Sequence, residues 1–184
     1  MALAPLSLRL GRSTLTLVHG VNGSGKTTLL RVLGGLLTPS SGTRVGHGAA
    51  LYLRSGDGAR RAQRVDQAVR FAVCLGSPLA RVEDVVRATG LETVMGRRVA
   101  TLSSGQRARV TLAVGLAVSP ALLCLDEPAA HLDEEGIGFL RQVVDLLRER
   151  GSAVVVASQT ATSGLLAGAD ACLVLDGGRL VGRA

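Results

Sequence analysis

The sequence has no tryptophan, one tyrosine and two phenylalanines, so aromatic residues make up 2% of it. Since 47% of the residues are hydrophobic, the core must be filled by Leu, Val and Ala. Lysine is as scarce: Lys26 is the only one, and the formal charge of +7 comes almost wholly from arginine. A genome rich in G and C produces the same arginine excess, so no function is read from it. The arginines are scattered, and Arg60, Arg61 and Arg64 form the densest group, with no aromatic between them. That argues against a nucleic-acid surface and for a solvated face or one near anionic lipid. The three cysteines, Cys74, Cys124 and Cys172, are widely spaced in apolar surroundings. Their odd number and spacing indicate neither a disulfide framework nor a metal cluster, and they read as core residues in a reducing compartment. Residues 1–5 lack the basic start and apolar stretch of a signal peptide. The longest apolar region, 110–125, is interrupted by Ser119-Pro120 and is too short to span a bilayer. The expectation is a soluble chain that meets a membrane only through a partner.

The 184 residues, 19% of them charged, suit one domain that buries roughly 70% of its unfolded surface. Within it, Gly20-Val21-Asn22-Gly23-Ser24-Gly25-Lys26-Thr27 fits the phosphate-cradling pattern G-x-x-x-x-G-K-[ST]. Residues 14–18 alternate as a strand does, and 28–33 carry apolar residues at helical spacing. Strand, glycine loop and helix are the context that separates the motif from a plain glycine-rich turn. In it, the backbone N–H groups of Gly20, Asn22, Gly23, Ser24 and Gly25 turn toward phosphates and the helix start at Thr27 and Thr28 adds partial positive charge. Lys26 reaches the β- and γ-phosphates of a nucleoside triphosphate, and the Thr27 hydroxyl ligates Mg²⁺.

Along the chain, residues 6–10 alternate before the turn at Gly11-Arg12-Ser13, which with 14–18 predicts an N-terminal antiparallel strand pair. A strand is predicted over 49–53. Residues 59–100 differ in character: Val65, Val69, Ala72 and Val73 mark one helical face, Val82, Val85 and Val86 another, and Gly76-Ser77-Pro78 and Gly90 interrupt them. This segment reads as a helical subdomain inserted in a sheet domain made of 1–58 and 101–184. The sheet domain resumes with a helix over 107–118, a buried strand over 121–125, a helix over 134–150 capped by Asp133, and a buried strand over 153–157. A short helix near 163–166 and a hairpin over 171–182 close it. Alternating strands and helices imply an α/β fold with a largely parallel central sheet, in which ligands gather at the strands' C-terminal ends.

Asp126 and Glu127 follow the apolar run 121–125 and supply the carboxylates that phosphoryl transfer to water requires. Asp126 suits a Mg²⁺ site and Glu127 a general base. Leu102-Ser103-Ser104-Gly105-Gln106 then resembles the LSGGQ signature of ATP-binding cassette (ABC) ATPases, Leu125-Asp126-Glu127-Pro128 follows in the family's order, and His131-Leu132-Asp133 is similar to its D-loop. The resemblance covers almost the whole chain. It implies an ATP-hydrolysing subunit with ATP and Mg²⁺ as cofactors, in which Ser103, Ser104, Gly105 and Gln106 serve the ATP held by a second ABC ATPase subunit. Ser103 also suits a helix cap, and the two roles are compatible. The resemblance further implies an integral membrane permease docked on the helical segment, a place on the inner face of the cell membrane, and no nucleic-acid partner. In brevity the chain loosely resembles the haem-exporter type of cytochrome c maturation.

Departures from the family pattern carry information too. Gln159 stands where the family has a His at the γ-phosphate; Gln donates a hydrogen bond but relays no proton, so slower turnover is expected. Ser55 falls where the family usually has a Mg²⁺-ligating Gln, which makes it a possible metal ligand. The upstream aromatic that stacks on adenine is missing, which predicts weaker nucleotide binding and poor base selectivity. Two alternatives to a transporter subunit are a cassette ATPase acting on ribosomes or DNA and a hydrolytically weak partner in a heterodimer.

Overall fold

The computed structural model describes residues 3–76, 78, 80–159 and 168–183. Six strands form one sheet in the order β2-β3-β4-β1-β5-β6. They are β1 (Leu15–His19), β2 (Ala50–Arg54), β3 (Leu122–Asp126), β4 (Ala153–Ser158), β5 (Ala171–Asp176) and β6 (Arg179–Arg183). All neighbours are parallel except β5 and β6, which form the expected C-terminal hairpin. The helices are α1 (Lys26–Leu33), α2 (Val65–Leu75), α3 (Val82–Thr89), α4 (Ser104–Val118) and α5 (Glu134–Glu149).

Side chains alternate across a strand, so each central strand feeds two apolar layers. Leu15 and Leu17, Leu123 and Leu125, and Val154 and Val156 join Val69, Leu112, Leu116, Leu140 and Val144 of the helices in one layer. Val18, Cys124, Val155 and Ala157 face the other way and pack with Leu29 and Leu30 of α1. The helices α2 and α3 pack on α4, and their buried residues are continuous with the sheet's first layer.

The N-terminal antiparallel strand pair does not form. Both edges of β1 are taken, by β4 on one side and β5 on the other, which leaves 6–10 no edge of β1 to pair with. Their alternation is used differently: Leu6, Leu8 and Leu10 pack half-buried over the α1 layer. Segment 59–100 is less helical than expected. Among its described residues only α2 and α3 are α-helices; short 3₁₀ turns follow at Glu92–Val94 and Val99–Thr101, and Arg64 and Arg98 meet in an antiparallel bridge. Only one of the three cysteines is a core residue: Cys124 is buried, Cys172 half-buried and Cys74 exposed. Burial pushes the Cys124 thiol up to about 12, so it stays a neutral, unreactive core group. The helix expected near 163–166 lies outside the described residues.

Candidate functional site

The site is built where β1, β3 and β4 end side by side. Parallel register sets His19 beside Ser158 and Asp126 beside Ala157, so the loop after β1, the carboxylates at the end of β3 and Gln159 after β4 converge at one end of the sheet. They line a pocket of about 250 Å³ with Asn22, Gly23, Ser24, Gly25, Lys26, Thr27, Thr28, Arg54, Asp126, Glu127 and Gln159 around it. The glycine loop is conformationally committed. Gly25 sits at φ 103 at the start of α1, a left-handed position that side chains resist. Gly20 passes so close to Leu175 that an added Cβ would lie 2.3 Å from its carbonyl oxygen.

Lys26 is buried, with 5% exposure, and its amine is turned back on the loop. It donates to the carbonyls of Gly20 (2.6 Å) and Val21 (3.1 Å) and lies 3.7 Å from Glu127 Oε1. Asp126, 2% exposed, accepts the Thr27 hydroxyl at 2.8 Å and the Tyr52 hydroxyl at 2.7 Å, both on Oδ2. Burial, then the hydrogen bond and charge of Asp126, push the Tyr52 phenol above its ordinary 10.0, so it is a proton donor at neutral pH. Glu127 occupies φ 51, a left-handed conformation uncommon for a residue with a side chain. Its backbone N–H donates to Ala157, and its Oε2 accepts from the backbone N–H of Gln159 at 3.3 Å.

Among the described residues, four buried side-chain oxygens lack a hydrogen-bond partner: Ser24 Oγ, Ser55 Oγ, Asp126 Oδ1 and Glu127 Oε1. Three belong to the pocket lining and the fourth to the residue next to Arg54. Buried polar atoms are nearly always satisfied, so this concentration marks a place prepared for a polar ligand. The donor set is hydroxyl and carboxylate oxygen beside a lone ammonium, which fits a phosphate chain with a hard cation. No group of three or more His, Cys, Asp or Glu side chains among the described residues could hold a metal ion.

The remaining candidates are placed differently. Gly20 contributes its carbonyl rather than a pocket wall. Ser55 lies behind the lining, its N–H donating to the Asp126 carbonyl at 3.0 Å, and the exposed Arg54 faces the pocket instead. Ser103 to Gln106 and Asp133 stand outside the lining. Ser103 caps α4 in a reciprocal box with Gln106, at 3.1 and 3.2 Å; Ser104 is exposed at that helix start, and Gly105 is crowded by the His131 carbonyl. Asp133 caps α5 by accepting from Gly136 at 2.8 Å. Tyr52 and Arg54 escaped the motif reading. The hydroxyl of the one tyrosine was the only hint, since its partner lies 74 residues away.

A largely parallel sheet with a glycine loop between β1 and α1 and an acidic pair at the end of β3 defines a P-loop nucleotide-binding domain. Residues 3–130 match the ABC transporter family, and the chain belongs to that family. It is 36% identical to the zinc import ATP-binding protein ZnuC of Halorhodospira halophila, over 92% of this chain and 66% of that protein. Identity is 38% with the cytochrome c biogenesis ATP-binding export protein CcmA of Cupriavidus pinatubonensis, covering 87% of this chain and 76% of the relative. The chain thus spans just under two thirds of the zinc-import relative's length, and 65% of an Archaeoglobus fulgidus relative's. The ATP-binding subunit of an ABC transporter superposes with TM-score 0.84 at 19% identity, over 100% of this chain and 83% of that one. A bacterial ABC transporter cassette solved as a dimer gives 0.81 at 18% identity, over 99% and 89%. The α/β architecture with its largely parallel sheet is the fold of these cassettes.

Proposed function

We propose that the chain binds ATP with Mg²⁺, hydrolyses it, and acts as the ATP-binding subunit of an ABC transporter. The observation that carries this reading is the gathering of unsatisfied buried oxygens around the glycine loop, Lys26 and the Asp126–Glu127 pair. The loop N–H groups and the start of α1 take the phosphates, and an incoming phosphate draws the Lys26 amine from the loop carbonyls. Thr27 and Asp126 would hold Mg²⁺, which neutralises charge on the phosphate oxygens when bound. Glu127 accepts a proton from the attacking water. Gln159 donates a hydrogen bond toward the γ-phosphate, without the proton relay of a His.

Ser104 and Gly105 then serve the ATP of a second cassette, with Asp133 in the D-loop between them. ATP favours the closed pair and hydrolysis releases it. The segment 59–100 transmits this closure to a membrane permease on the inner face of the membrane. No helix among the described residues is long and apolar enough to cross a membrane. The zinc-import and cytochrome c relatives support transport as the purpose. The test is chromatography of the Glu127→Gln protein with and without Mg·ATP: a nucleotide-dependent dimer is expected. A protein that binds ATP but stays monomeric overturns the two-cassette reading, and one that binds no ATP overturns the whole.

A further inference from the structure

Asp126 carries more hydrogen bonding on one oxygen than on the other, and the asymmetry is built by parts far apart in the chain. Oδ2 accepts two hydroxyls, from Thr27 at 2.8 Å and Tyr52 at 2.7 Å, while Oδ1 is buried without a partner. A carboxylate with two donors on one oxygen cannot rotate without breaking both bonds. Tyr52 is itself held. The Arg31 guanidinium lies over its ring at 5.7 Å. Gly34, at the end of α1, lets β2 approach so closely that a Cβ there would sit 2.9 Å from the Tyr52 Cβ. We infer that Tyr52 is a positioning residue for Asp126: with Thr27 it holds Oδ2, so that Oδ1 is the oxygen presented to a Mg²⁺ ion arriving with ATP. The inference rests on the nucleotide-site reading above. Partners behind a metal ligand of this kind typically change metal affinity by about tenfold or more when removed. A hydroxyl serving only to satisfy a buried carboxylate would change stability and leave the metal dependence alone.

The two roles separate in a binding experiment that needs no turnover. Affinity for a non-hydrolysable ATP analogue is measured by calorimetry for wild type and Tyr52→Phe, once in EDTA and once across a Mg²⁺ titration. The expected result is equal affinity within about twofold in EDTA, with the Mg²⁺ concentration for half-saturation raised about tenfold. Equal losses in both arms, or no loss in either, overturn the inference while leaving the nucleotide site standing. Absence of binding by the wild type in both arms overturns both. Gly34→Ala, which crowds Tyr52 but keeps its hydroxyl, is expected to raise the Mg²⁺ requirement in the same direction. The wild type supplies a second readout that depends on no variant. With one tyrosine and no tryptophan, its tyrosine emission comes from Tyr52 alone. Adding Mg²⁺ to the analogue complex should change the intensity of that emission, and an unchanged intensity together with an unchanged Mg²⁺ requirement in Tyr52→Phe overturns the inference.

Discussion

At the scale of single residues, the site sets one buried cation against two acidic side chains and leaves a second cation at its rim. Lys26 is occupied by the loop carbonyls and by Glu127, so nucleotide must compete for it. Arg54 has no such partner among the described residues and lines the same pocket. Its guanidinium is exposed, so the contribution to phosphate binding is modest: Arg54→Ala should weaken ATP binding about twofold to fivefold, and added salt should shrink the difference. Titrations at low and high ionic strength check this. Gln159 presents its backbone N–H to Glu127 and lines the pocket. Loss of a transition-state donor typically costs about 10² to 10³ in rate, and in the proposed reading Gln159 keeps part of that function. Gln159→His is therefore expected to raise steady-state ATPase activity about tenfold in a reconstituted complex. If activity stays at the wild-type level, position 159 does not limit turnover.

Secondary-structure elements carry their own consequences. Helix α5 begins at Asp133, whose carboxyl is held below its ordinary 3.8 by the Gly136 N–H, with the nearby Arg109 adding to it. A carboxyl lowered in the folded state stabilises above 3.8, and that contribution disappears as pH falls through the lower folded value. Asp133→Ala should lower Tm by about 2–4 °C at neutral pH, and the deficit should close on acidification. Scanning calorimetry from pH 7 to pH 3 measures both. The bridge between residues 64 and 98 places two arginines directly opposite each other, and like charges across such a pair are unfavourable. Arg98→Glu is expected to stabilise the protein by about 0.2–1 kcal/mol, an increment that urea titrations at low salt will resolve.

For the molecule as a whole, the scarcity of aromatics becomes a statement about ligand choice. Tyr52 is engaged with Asp126 and Arg31, Phe139 lies under Arg109 at 4.6 Å, and Phe71 is exposed on α2. None lines the pocket, and in the proposed reading the groups there address phosphates. Stacking of a base on an aromatic is worth about 1–3 kcal/mol, so its absence removes a main source of base preference. ATP and GTP should bind within about threefold of each other; a strong ATP preference in competition titrations would show that another surface reads the base.

Much of this was legible in the sequence because the relevant forces are local. The glycine loop needs positive φ at fixed positions. The α4 and α5 caps use groups three residues apart, and the strands announce themselves as apolar runs between turns. The glycine loop, the acidic pair, the signature turn and most element boundaries follow from such short-range rules. Local pattern could not show which strands are neighbours. The alternation at 6–10 predicts a strand equally well whether or not a free edge exists, and β4 and β5 had taken both edges of β1. Sheet order and register likewise decided that Asp126 meets Thr27 across 99 residues and Tyr52 across 74. They also decided that Arg54 rather than Ser55 faces the pocket. The sequence thus determined the chemical groups and their local conformations. The tertiary structure alone decided which oxygen of Asp126 is held and which is left for a ligand, because that depends on strand order, which is set by long-range packing.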